Sequence, residues 1–180
     1  MRYVLLLRGI NVGGNNKVAM ADLKQLAVDL GCQKVVTYIN SGNLFFDSEH
    51  SPSVLKKSFT ALFEKHYPFV KSFVLLSQSD YQKDADCLPA WWEEDLARKD
   101  VLFYSDKVDR SFLEDRIAHL PLTADELVHF GKSAVFWGKR DEKTYLKTAY
   151  HKYLLKEPFY KNITIRNGKT YAKIGELVTV

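Results

Sequence analysis

The chain has 180 residues, with 26 basic and 22 acidic side chains and a net charge of +4. Hydrophobic residues at 46% against 27% charged exclude a disordered chain, a collagen-like fibre and a coiled coil. No apolar run reaches the roughly 18 residues that span a bilayer, and residues 3–7 are too short an apolar stretch for a secretory leader, so a cytoplasmic protein is expected.

In chain order, residues 2–7 form an apolar, β-rich run, followed by a polar loop over residues 8–17. Met20, Leu23, Leu26, Ala27 and Leu30 then recur at helical spacing, and Gly31 is placed to end that helix. Residues 35–39 and 43–46 read as strands joined by Asn40-Ser41-Gly42, a hairpin signal. Ser51-Pro52 opens a second helix with Leu55, Phe59, Leu62 and Phe63 on one face, and residues 72–76 are a fourth strand. Residues 78–98 show no clean period and read as a connector, with Trp91 and Trp92 as apolar plugs.

The same order then repeats. Residues 101–104 are a strand, and Asp109 caps a helix bearing Phe112, Leu113, Ile117 and Leu120. Residues 127–130 and 134–137 make a hairpin about Gly131-Lys132-Ser133. A helix over 142–156, a strand over 162–166 and a short helix over 170–178 complete the chain. The expected fold class is α+β, two consecutive ferredoxin-like βαββαβ units with a short C-terminal helix. The expected domains are residues 1–78 and 99–180, with 79–98 between them.

The loop over residues 8–17 is long for a strand-to-helix connection, which usually takes about 2–6 residues. Gly9, Gly13 and Gly14 with Asn11, Asn15 and Asn16 tolerate positive φ and would leave backbone N–H groups free. Arg8 and Lys17 add positive charge, so the composition points to an anion nest before a helix N-terminus. The loop carries neither a Gly-Lys-Ser/Thr ending nor G-x-G-x-x-G, so neither standard nucleotide fingerprint applies. In a βαββαβ unit the first two strands run parallel, which brings Ser41, Gly42 and Asn43 to the same sheet edge as this loop. A turn and a loop whose asparagines bond their own backbone would have the same composition.

Between Lys143 and Lys173 eight basic side chains meet one acid, Glu157, and tyrosines interleave them. Lys143, Lys147 and His151 fall at i, i+4 and i+8 of the expected helix, a ridge suited to a phosphodiester backbone, although charge runs at helical spacing are more often a solvated helix face. No histidine or cysteine pair has metal spacing, and no nucleophile sits beside a base, so no metal, cofactor or catalytic residue is assigned.

The stretches Leu6-Leu7-Arg8-Gly9-Ile10-Asn11-Val12-Gly13-Gly14, Met20-Ala21-Asp22-Leu23 and Thr37-Tyr38-Ile39-Asn40-Ser41-Gly42-Asn43 resemble the bacterial family catalogued as domain of unknown function 1697. Thr164-Ile165-Arg166-Asn167 resembles that family's closing motif, with Gly168 where an aromatic is usual and Asn40 where a glutamine is common. The resemblance implies a two-part α+β protein and supplies no activity. It adds Arg166 and Asn167 to the candidate residues, with Arg166 expected to face Arg8, Asn11 or Asn43. The resulting expectation is a protein that binds a phosphate-bearing ligand, nucleotide or nucleic acid, at the loop near the interface of the units. A small-molecule enzyme acting on an anionic metabolite in the same cleft is the alternative, and a protein-interaction module the second.

Overall fold

A computed structural model describes residues 1–180. The chain divides into two compact units, Met1–Tyr81 with Lys173–Val180, and Gln82–Ala172. The first unit contains β1 (Arg2–Leu7), α1 (Met20–Asp29), β2 (Gln33–Tyr38), β3 (Asn43–Asp47), α2 (Pro52–His66) and β4 (Phe73–Ser77). Its antiparallel sheet has the order β2-β3-β1-β4, the ferredoxin-like arrangement. Leu5 on the central β1 sits opposite Leu44 on one side and Leu75 on the other. Leu5, Leu7, Leu44 and Phe46 share a core with Leu23 and Ala27 of α1 and with Leu55, Phe59 and Phe63 of α2. Because strand side chains alternate faces, that one face takes both amphipathic helices.

The helix ends follow local chemistry. Ser51 Oγ accepts the Val54 N–H at 3.4 Å ahead of Pro52, and Gly31 follows α1 with φ +86°. Helix α3 (Gln78–Ala85) occupies residues expected as part of a connector. It has no apolar stripe, which hid it from a periodicity argument. Its start is nonetheless written in Ser77-x-x-Asp80, where the Asp80 N–H donates to Ser77 Oγ at 3.1 Å and the Ser77 N–H reaches Asp80 Oδ2 at 3.4 Å.

The second unit repeats the plan with β5 (Arg98–Tyr104), α4 (Arg110–Ala118), β6 (Glu126–Phe130), β7 (Ala134–Lys139) and β8 (Ile163–Asn167), in sheet order β6-β7-β5-β8. Leu102 lies opposite Val135 and Ile165. Asp109 caps α4, accepting the Phe112 N–H at 3.0 Å. Trp92, in a single 3-10 turn over Ala90–Glu93, is buried edge-on against Phe136 and Tyr171, the plug role expected of it.

The helix expected over 142–156 is not continuous. A 3-10 turn (Glu142–Lys147) gives way at Thr148, whose φ −65° and ψ 152° are extended. The chain then restarts as α5 (Ala149–Tyr153) and ends in another 3-10 turn (Leu154–Lys156). The ridge of Lys143, Lys147 and His151 therefore does not exist as one helix face. Lys143 and Lys147 are exposed on the first turn, while His151 lies on α5 with its ring 5.1 Å from that of Tyr145. The last helix, α6 (Gly168–Val178), begins two residues before its expected start, and the division between the units falls within it.

Candidate functional site at the edge of the first sheet

Arg8 to Lys17 is a shaped loop. The Asn11 N–H donates to Asn16 O at 3.1 Å and the Asn15 N–H to Val12 O at 3.0 Å, so Gly13 and Gly14 form the tip of a miniature hairpin. Their φ values of 58° and 79° suit a type I′ turn, for which glycine is the preferred residue. Asn11, itself at φ 54°, is the keystone. Its Nδ2 donates to Val18 O and Asn40 O, both at 2.9 Å, and its Oδ1 accepts the Val18 N–H at 2.8 Å. One side chain thus ties the loop's two ends to each other and to the β2–β3 hairpin. The Leu7 N–H adds a bond to Gly42 O at 2.8 Å, and Asn16 Nδ2 closes the base on Gly9 O at 3.0 Å.

The expected convergence of loop and hairpin is present, but the expected supply of free N–H groups is smaller. The Asn11, Asn15 and Val18 amides are spent on the loop's own shape. Arg8 is half-buried, and Gly13, Gly14, Asn15 and Lys17 are exposed. In the hairpin, Asn43 is fully buried and its Nδ2 donates to Tyr38 O at 2.9 Å and Ser41 Oγ at 3.1 Å. Ile39, where the hairpin opens, has φ 49°, a conformation that β-branched residues avoid. Strain of this kind gathers where the surrounding structure holds a segment for a purpose.

Arg166 and Asn167 belong to the second unit. Arg166 is 8% exposed, and burial pushes its guanidinium pKa down to about 10. Its Nη1 donates to Ile165 O at 2.8 Å. Asn167 Oδ1 accepts the Thr170 N–H at 2.8 Å, which makes it the cap of α6.

The second unit also holds a polar cluster that sequence reasoning did not single out. Glu126, Lys139 and Asp100 are all buried. Glu126 Oε2 accepts the N–H groups of Thr123 at 2.8 Å and Ala149 at 2.9 Å, and its Oε1 accepts that of Tyr150 at 3.0 Å. Lys139, directly opposite Glu126 in the sheet, donates to Thr144 Oγ1 at 2.6 Å. Asp100 takes a hydrogen bond from Tyr150 and faces Arg98 Nη2 at 3.4 Å. The available signal was Arg98-x-Asp100, an alternation that puts two opposite charges on one face of a strand.

Burial pushes the Asp100 carboxyl pKa up, against the pull of Arg98 and Tyr150. The folded state therefore holds that proton more tightly than the unfolded chain. Its contribution to stability is full below the ordinary aspartate range and is lost as pH rises through the folded value. Asp100→Asn, neutral throughout, should gain on the wild type as pH rises across that window and then level off. Urea titrations of both proteins across the acid range would check this, and a constant difference would contradict it.

The family described as "Protein of unknown function (DUF1697)" matches residues 1–137, which include the loop and the hairpin. The chain belongs to this family. The motif at Thr164–Asn167 lies beyond the DUF1697 match, so its kinship rests on the resemblance and on whole-chain similarity. Among solved structures, this DUF1697 chain is similar to the conserved bacterial protein SP0830 from Streptococcus pneumoniae. The two are 54% identical with a TM-score of 0.95, over 98% of each chain. No curated protein matches. No helix is long and apolar enough to cross a membrane.

Proposed function

We propose that this DUF1697 protein binds a phosphate-bearing ligand, a nucleotide or nucleic acid, at the edge of the first sheet. The observation that carries the reading is the Asn11 keystone. It holds a long, glycine-tipped loop in one shape beside the β2–β3 hairpin, before any ligand arrives. A preorganised loop loses little entropy on binding, and a connection of this length needs no such bracing merely to join β1 to α1. Arg8 and Lys17 supply the charge, and the exposed tip supplies backbone amides at Gly13 and Gly14. Arg166, Asn167, Lys143, Lys147 and His151 remain proposed participants from the second unit.

The test is a thermal-shift screen with pyrophosphate, nucleoside triphosphates and a short oligonucleotide, each against sodium chloride of matched ionic strength. A ligand at about 100 times its Kd stabilises by about 2.7 kcal/mol, a shift of several degrees. Lys17→Ala and the Gly13→Ala/Gly14→Ala pair should abolish that shift. An oligonucleotide should lose its effect steeply with added salt, whereas a nucleotide should lose less. A wild type indifferent to every probe would refute the reading.

A further inference from the structure

The second unit contains a cavity of about 230 Å³, of whose lining the phosphate reading uses only His151. Arg98, Tyr145, Tyr150, Tyr160, His151 and Leu154 line it. The Arg98 guanidinium lies over the Tyr145 ring, 4.2 Å from its centroid. Stacking occupies a face of that planar group and leaves its edge N–H donors available for a carboxylate. Only one of them is engaged, by the loose 3.4 Å contact with Asp100, which is not part of the cavity wall. Tyr145 in turn stands 5.1 Å from the His151 ring and 6.3 Å from that of Tyr150, and Leu154 is fully buried. The walls are therefore tyrosine rings and leucine side chains around a single fixed cation, with the phenol hydroxyls and the His151 imidazole as further polar edges.

Volume narrows the occupant. An apolar cavity of about 150 Å³ holds benzene, and pockets for larger ligands usually exceed about 300 Å³. A space between those limits fits one six-membered ring with a small charged substituent and is too small for a nucleotide. We propose that this cavity binds a small aromatic carboxylate, its carboxylate paired with the edge of Arg98 and its ring held among Tyr145, Tyr150 and Leu154. The site is independent of the loop in the first unit.

Titrating the full-length protein with benzoate, benzamide and inorganic phosphate, followed by NMR, tests this. Benzoate should bind saturably and shift resonances of Tyr145, Tyr150 and His151. Benzamide, matched in shape but neutral, should bind at least about tenfold more weakly, and phosphate should not displace benzoate. Arg98→Lys keeps the charge but loses the fork, and should weaken benzoate about tenfold. Lys17→Ala should leave benzoate binding unchanged, which separates this site from the phosphate site. Equal binding of benzoate and benzamide, displacement by phosphate, or no saturable response at about 10 mM would overturn the proposal on the wild-type protein alone.

Discussion

Gly42→Ala should destabilise the first unit by about 3 kcal/mol and detach the loop from the hairpin. Two costs coincide at this position. Gly42 has φ +83°, where an alanine pays about 1–2 kcal/mol for crowding its own carbonyl. A Cβ there would also stand 2.7 Å from Leu7 Cβ and 2.8 Å from Ile10 Cδ1. Leu7 Cβ is anchored to the backbone of the central strand and cannot swing aside, so the hairpin must move. The bond from the Leu7 N–H to Gly42 O then lengthens or breaks. Gly13→Ala is the matched control. Its φ is +58° but nothing lies within 4 Å of the added carbon, so only the backbone cost of about 1–2 kcal/mol applies. Urea midpoints of the two variants should differ accordingly, and amide exchange at Leu7 should accelerate in Gly42→Ala alone. Equal midpoints would mean that the hairpin does not brace the loop.

Glu126→Gln should cost the second unit about 3 kcal/mol, because the substitution turns an acceptor into a donor against other donors. Both carboxylate oxygens are committed, with Oε2 accepting from the Thr123 hydroxyl as well as from the Thr123 and Ala149 N–H groups. An amide NH2 in place of either oxygen leaves at least one buried N–H unmatched. Glu126→Ala should cost as much or more, since it also leaves Lys139 facing a void across the sheet. Loss of α5 is the structural signature, read as fast exchange of the Ala149 and Tyr150 amides. Benzoate binding should weaken with it, as α5 carries Tyr150 and His151. A Glu126→Gln protein with wild-type stability and protected amides would show that α5 stands without the carboxylate.

The elements that were legible in the chain are those whose causes are local. The β1 run, the Asn40-Ser41-Gly42 turn, the Ser51 and Asp109 caps and the Gly31 helix end each depend on residues a few positions apart. Their order alone implied two βαββαβ units, and both sheets have that arrangement. Likewise the meeting of the glycine-rich loop with the hairpin follows from strand direction, which the element order already contains. What the loop does with its polar groups was not legible. Its asparagines were equally compatible with open N–H groups and with self-closure, and the choice was made by Asn11 reaching Asn40, a partner 29 residues away. The break at Thr148 has the same origin. Periodicity favoured one helix over 142–156, because the apolar spacing persists through it. Yet Glu126, 23 residues earlier, accepts the Ala149 N–H that a continuous helix would have bonded to its own backbone. A buried carboxylate offering charge-assisted bonds outcompetes one more turn of helix, and no window short enough to show a period can contain that competitor.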